Sequence, residues 1–372
     1  MPRRRRASLK DVAALAETSI ATASRVLSGK GYVAADTRAR VLRAAEALDY
    51  QPNLRARDLR QQSSRTIGLI IPNLLNAYYT ALADAASQLL AESGYQLLLS
   101  STRDDPDIER DILHDMIGQD VAGLVWVPSA PDENLLAYLQ AQHIPAVSIV
   151  RRVPQDRMDT VVFEDFNGSY AATQHLIGLG HRSIGYIGGD VRHSSNYARW
   201  QGHLASLRDA GLPLDERLVR LGAPQSTWGE VATLDLLHLP SPPTAIFAAS
   251  NAIMPGVLRV LRRYSFVVPD EMPLLCFDDV DWFSFSVPPI TAISISHARL
   301  AETAMGLLLR RIEDPGGIEK PPVFVEINFE LVLRGSTGPP CREPLVVHGR
   351  LASEPDRHKG QESYPQTLWR AP

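Results

Sequence analysis

Seven residues, Ser19 to Arg25, carry side chains from which a nucleic-acid contact can be made. Ser19, Thr22 and Ser24 offer hydroxyls to phosphate oxygens. Ala21 and Arg25 are four apart, so on a helix they share one face, beside Ile20. A guanidinium there can read a base edge, and the two apolar side chains can meet thymine methyl groups. The surroundings suit a polyanion. Residues 1–65 hold 14 Lys/Arg against 6 Asp/Glu, a balance of +8, while the remaining 24 against 36 leave −12. A net charge of −4 therefore conceals a basic head on an acidic body.

Catalytic chemistry has no comparable foothold. The chain shows no Gly-x-x-x-x-Gly-Lys loop, zinc-spaced Cys/His set or Gly-x-Ser-x-Gly elbow. Cys276 and Cys341 are too few for a disulfide framework and neither has metal-ligand spacing, which suits a reducing cytoplasm. Neither a metal nor a cofactor is implied. No apolar run reaches the roughly 18–20 residues that span a bilayer, so no membrane partner is expected. Arg3 to Arg6 could open a secretion signal, but Ser8-Leu9-Lys10-Asp11 puts charges where its apolar stretch belongs.

Helices must position the Ser19–Arg25 group. Ser8-x-x-Asp11 is a capping-box pattern, after which Val12, Leu15 and Ala16 recur at helical spacing. Glu17-Thr18 break the run, and Ser19 can cap a second helix, Ile20 to Ser28, that stops at Gly29. Asp36 to Leu48 reads as a third helix, with Val41, Leu42, Ala45 and Leu48 on its apolar face. Two short helices around a tight turn with a third bracing them are a helix-turn-helix layout, whose second helix lies in the major groove. Pro52 ends the third helix, and Asn53 can cap a short helix through Arg60, too short to be stable alone.

From Thr66 the pattern changes to apolar strands alternating with amphipathic helices. The strands are read at 67–72, 95–99, 121–126, 183–188, 244–248 and 273–277, with a helix at about 78–92. Such alternation implies parallel sheets with helices on both faces and a ligand beyond the strands' carboxyl ends.

The head resembles that of the lactose/galactose repressor family. The resemblance rests on Leu9-Lys10-Asp11-Val12-Ala13, Thr22-Ala23-Ser24-Arg25-Val26-Leu27, Gly29, Val33, Thr37-Arg38 and Val41-Leu42. Tyr50-Gln51-Pro52-Asn53 and Ala56-Arg57-Asp58-Leu59-Arg60 are similar to its hinge. The resemblance implies a DNA contact set of Ser8, Leu9, Lys10, Ser19, Ile20, Ala21, Thr22, Ser24 and Arg25, with Asn53, Ala56, Arg57 and Leu59 from the hinge. In that family two hinge helices pack in the minor groove and a leucine, matched by Leu59, wedges between base pairs. Two departures stand out. Glu17-Thr18 replaces a Gly-Val turn, and Ala34 stands where a capping serine is common, at about 1 kcal/mol of cap energy.

The body resembles the periplasmic sugar-binding core of the same family. It does so through residues 66–71, Asn76-Ala77-Tyr78-Tyr79, 175–182, Arg199-Trp200-Gln201-Gly202, Phe277-Asp278-Asp279 and Pro288-Pro289-Ile290-Thr291. The resemblance implies that Arg199 bonds paired ligand oxygens, Asp278 accepts ligand hydroxyls, and Tyr78 and Tyr79 meet a flat or apolar ligand face. Ser250 belongs to the same set, since Ser250-Asn251 replaces an Asn-Asp pair. Val150 stands for an aspartate, Glu164-Asp165 for Asp-Asn and Cys276 for Gly, and Pro255 is expected to interrupt the following helix. Trp228 and Trp282 are further candidate stacking faces.

The fold class expected is an all-α helix-turn-helix head plus an α/β core of two-lobed, periplasmic-binding-protein-like parallel sheets. The division is 1–50 for the head, 51–65 for the hinge and 66–336 for the core. One lobe takes about 66–163 and 294–323, the other about 164–293 and 324–336. Residues 337–372 are polar and Pro-rich without apolar heptads, and read as a disordered tail. The function expected is a cytoplasmic, ligand-responsive repressor that binds a pseudo-palindromic operator as a homodimer, with a sugar or sugar derivative as effector. A solute-binding protein of the same core is the alternative.

Overall fold

The structure is a computed structural model that describes residues 7–28, 32–50, 64–129, 133–153, 157–314, 316 and 319–341. Hinge residues Asn53, Ala56, Arg57 and Leu59, and the tail beyond 341, lie outside the described residues.

The head is three helices, α1 (Leu9–Leu15), α2 (Ile20–Ser28) and α3 (Ala35–Ala47). Ser8 and Asp11 close a reciprocal capping box on α1, and Ala34 caps α3 without a side-chain bond. Val12, Ala13, Ala16, Ala23, Val26, Val41, Ala44 and Ala45 form the head's core. Leu42, expected on the buried face of α3, is 51% exposed, and Ala44 is buried instead. Val41, Ala45 and Leu48 keep the expected face, so the apolar stripe shifts only far enough to exchange Leu42 for Ala44. Glu17 sits in the α1–α2 turn at φ +48°, a conformation that suits glycine.

The core is two six-stranded sheets. The first contains β1 (Thr66–Ile71), β2 (Gln96–Ser101), β3 (Gly123–Trp126), β4 (Ala146–Ile149), β5 (Asp159–Phe163) and β11 (Phe324–Ile327) in the order β11-β5-β4-β3-β1-β2. The second contains β6 (Ile184–Gly189), β7 (Val219–Gly222), β8 (Ala245–Ala248), β9 (Leu274–Phe277), β10 (Thr291–Ile295) and β12 (Phe329–Val332) in the order β12-β10-β9-β8-β6-β7. Every pairing is parallel except β10 with β12. Strands in the middle of each sheet are buried along their whole length, as sheets covered on both faces require.

The helices that matter for the site are α4 (Ala77–Glu92), α7 (Asp165–Gly178), α8 (Ser194–Asp209), α10 (Met254–Arg263) and α11 (His297–Glu313). Between α4 and α7 lie α5 (Pro106–Gly118) and α6 (Glu133–Ala141), and α9 (Ser226–Leu237) precedes α10. The chain crosses between lobes after β5, after β10 and after β11. Two boundaries differ from the expected division. Residues 324–327 belong to the first lobe, because they pair with β5, and residues 294–295 belong to the second, because β10 continues through Ile295. Pro255 does not interrupt a helix. It occupies the first turn of α10, where its missing N–H has no partner to lose.

The first residues of the expected tail are tied to the second lobe. Thr337 Oγ1 bonds His175 Nε2 at 3.0 Å, and His181 Nε2 donates to the Gly338 carbonyl at 2.9 Å. Before them, Ser336 Oγ donates to the Leu274 carbonyl and accepts from Thr291 N–H. These bonds extend the core through Gly338, past the expected end at 336.

Candidate DNA-reading face and effector cleft

On α2, Ala23 and Val26 point into the head's core while Ile20, Ala21 and Arg25 are exposed. The three residues singled out for base contact therefore share an outward face. Ser19 Oγ accepts from Thr22 N–H at 3.0 Å and bonds Thr22 Oγ1 at 2.8 Å, so it caps α2 as well as standing at its exposed end. Ser8 Oγ donates to Asp11 Oδ2, Lys10 is exposed, and Leu9 packs against the head's core. Ser24 is half-buried beside Arg25.

The second constellation forms where the lobes meet. A side chain at Gly202 would bring its Cβ to 2.2 Å from the Phe166 carbonyl oxygen, so a glycine there lets α8 lie directly on the start of α7. One turn earlier on α8, Arg199 reaches across that contact. Its Nε donates to Asp165 Oδ1 at 2.7 Å, and Nη1 donates to the Ala249 carbonyl at 2.8 Å and to Asp278 Oδ2 at 3.1 Å. Its guanidinium carbon stands 3.7 Å from the centre of the Phe277 ring. Asp278 follows β9 at φ +67°, which turns its carboxylate back toward α8. Asp278 Oδ1 lies 3.0 Å from Arg199 Nη2 but makes no aligned hydrogen bond, so it is ion-paired and still able to accept one. Asn251 donates to Asp278 at 3.4 Å, and Ser250 is buried beside it with its Oγ accepting from Ala252 N–H.

Tyr78 and Tyr79 come from the first lobe, at the start of α4, capped by Asn76. The two rings meet edge to face at 5.8 Å, and Tyr78 also packs edge-on to Phe163 and His297. The Tyr78 hydroxyl is buried without a partner. Burial, then the neighbouring Asp278 charge, raises its pKa well above the usual tyrosine value. Burial likewise pushes Tyr79 up to about 12. Two carboxylates sharing one guanidinium leave the buried cluster one negative charge in excess. Burial pushes Asp165 up to about 6 against the pull of Arg199, whose own pKa is raised by its two acids.

Four of the five residues named from sequence thus come together around Arg199, and Tyr79 stands beside them. Sequence reasoning noted Asp165 as a departure without giving it a partner. It missed the stacking of Arg199 on Phe277, for which the adjacency of Phe277 and Asp278 was a usable signal. Trp228 donates to the Gly188 carbonyl and Trp282 packs on Phe283, so each has a structural partner.

Comparison with known proteins agrees with this architecture. Residues 8–53 match the model described as bacterial regulatory proteins, lacI family, and residues 173–337 match a periplasmic binding protein-like domain. The chain is 32% identical over 333 residues to the HTH-type transcriptional repressor PurR of Actinobacillus pleuropneumoniae serotype 3 (strain JL03), covering 89% of this chain and 98% of that protein. Among solved structures, the transcriptional regulator CelR–cellobiose complex is 30% identical with a TM-score of 0.66, covering 89% of this chain and all of the other. The Lac repressor dimer bound to operator and the anti-inducer ONPF shares the fold, with a TM-score of 0.77 at 24% identity over 90% of this chain and all of the other. A head of this kind on a core of this kind defines a transcription regulator rather than an enzyme. The chain belongs to the lacI family of bacterial regulatory proteins. No helix among the described residues is long and apolar enough to cross a membrane.

Proposed function

We propose that the protein is a cytoplasmic repressor that binds a pseudo-palindromic operator as a homodimer and is switched by a hydroxylated, sugar-class effector closing between the lobes. On the DNA side, Ile20, Ala21 and Arg25 read base edges, while Lys10, Ser19, Thr22 and Ser24 hold phosphates. Two copies of the head set one helical turn apart match a two-fold operator. On the effector side, Arg199 and Asp278 meet ligand hydroxyls, with Tyr78, Tyr79 and Ser250 around them.

The observation that carries the reading is the unpartnered Tyr78 hydroxyl of one lobe, buried within electrostatic reach of the Asp278–Arg199 pair of the other. A group that bonds all three ties the lobes together, and domain closure is how such cores reposition what is attached to them. The cellobiose bound by one relative fits the chemical class. The test is a footprint on DNA flanking the protein's own gene, with and without a panel of pentoses, hexoses, disaccharides and their phosphates. Protection of a two-fold site that one sugar abolishes or strengthens is the expected result. Protection of random and native DNA alike would overturn the operator reading.

A further inference from the structure

A cavity of about 190 Å³ opens beside the Arg199 cluster, and none of Arg199, Asp278, Tyr78 and Tyr79 lines it. Its walls come from both lobes: Ser129, Arg151 and Arg152 from the first, and Arg192, His193 and Ser194 from the second. One hydrogen bond already crosses it, from Arg152 N–H to Ser194 Oγ at 2.7 Å.

The donors and acceptors are unevenly distributed. Three guanidiniums and three hydroxyls, those of Ser129, Ser194 and Tyr197, line the space, and no carboxylate among the described residues does. Each guanidinium is oriented by an acid outside the lining: Arg151 by Asp104 at 2.5 Å, Arg192 by Asp190 at 2.6 Å, and Arg152 by Glu326. Arg151 is 5% exposed, and its Nε has no partner. His193, 9% exposed, has an unpartnered Nδ1. His193 also occupies the N-cap of α8 without capping it, so the first amides of a sixteen-residue helix open here with the positive end of its dipole. The frame is rigid. Glu109, 1% exposed, accepts from Ser129 N–H at 2.6 Å and from Trp126 Nε1 at 2.9 Å, which fixes the loop carrying Ser129.

We infer that this cavity is an anion subsite of the effector cleft, and that the effector is a phosphate monoester of a hydroxylated compound. The inference rests on the reading of the cleft as the effector site and adds the ligand's charge. A wall made of donors selects a group made of acceptors. The donors approach from two opposed lobes, which suits the spread of tetrahedral phosphate oxygens better than the plane of a carboxylate. An ion held by Arg151 and Arg152 on one side and by Arg192 and the α8 amides on the other favours the closed arrangement of the lobes.

The test uses the full chain and inorganic phosphate as probe. Its thermal stability is read at 20 mM phosphate, in acetate, and in chloride of matched ionic strength. Phosphate should raise the midpoint by about 2–4 °C over chloride, through binding to the folded state alone. The double variant Arg152→Gln/Arg192→Gln removes two half- or well-exposed guanidiniums, so it folds, and it should lose that rise. No rise in the parent overturns the inference, as does an equal rise in the variant, which places the ion elsewhere, such as on the basic head. An equal rise with acetate overturns the phosphate assignment. None of these readings involves DNA or a neutral sugar, so they are independent of the footprint that tests the cleft's role.

Discussion

Arg199 and Asp165 join α8 to the first residue of α7 through a 2.7 Å bond, with 6% and 4% of their side chains exposed. That burial makes Arg199 a structural residue before it is a ligand contact. Arg199→Ala would strand Asp165 and Asp278 in the interior without a countercharge, at about 3–5 kcal/mol. Chemical denaturation should show the loss, and Arg199→Ala/Asp165→Asn should recover part of it. Equal stability of Arg199→Ala and the parent would remove the ion cluster from the account of the second lobe. An effector assay on Arg199→Ala alone therefore cannot separate lost binding from lost folding.

The same cluster predicts a pH dependence. Asp165 rises from its ordinary 3.8 to about 6 in the folded state, so folding favours its protonated form. Its contribution is fully present below pH 3.8 and is lost as pH rises through about 6. Between those values the parent should therefore lose stability with rising pH relative to Asp165→Asn, which does not titrate. Melting curves of both proteins from pH 4 to 7 measure the difference. A constant gap across that range would show that the excess charge sits elsewhere.

How much of this was legible beforehand follows from what each residue does. The head could be read closely, because caps, helix periodicity and the Ser19–Arg25 spacing are local signals; Ile20–Ser28 forms the helix expected of it. The core was legible where a strand is a long apolar run, as at β1 and β6. It was not at β11, where Phe324–Ile327 is half-exposed and only pairing with β5 assigns it to the first lobe. Arg199 and Asp278 could be named from a motif, but not their mutual contact. That depends on Gly202 allowing two helices to touch and on the turned backbone at Asp278. The Arg151–His193 wall lay beyond sequence reasoning altogether, since its halves lie some forty residues apart on different lobes.

Glu17 offers a test inside the head. Its left-handed backbone costs a non-glycine residue on the order of 1 kcal/mol. Glu17→Gly relieves that strain and adds some unfolded-state entropy, for a net gain of about 0.5–1 kcal/mol. Amide exchange in α1 and α2 should slow by roughly two- to fivefold. Faster exchange in the variant would mean that the Glu17 side chain contributes more than its backbone strain removes.

Arg25→Ala addresses the DNA face. With Arg25 exposed on the same side of α2 as Ile20 and Ala21, its loss should cost about 1–3 kcal/mol on the operator and relax preference at one base pair. Lys10→Ala should instead weaken operator and random DNA alike and lower the salt dependence by about one ion. Binding titrations at several salt concentrations distinguish the two. Matching behaviour of both variants would make Arg25 a phosphate contact.

Tyr78→Phe tests the cleft with effects of opposite sign. The hydroxyl is buried with no partner in the unliganded fold, so removing it should stabilise the protein by about 1 kcal/mol. The ring's edge contacts with Tyr79, Phe163 and His297 survive the change. If an effector oxygen bonds that hydroxyl, the variant should bind the effector roughly tenfold more weakly. By linkage, operator release or capture should then need about tenfold more effector, while effector-free operator binding stays at the parent's level. Thermal melts give the first effect and an effector titration of operator binding gives the second. A variant that is more stable yet responds to effector like the parent would take Tyr78 out of the site and leave it as packing between the lobes.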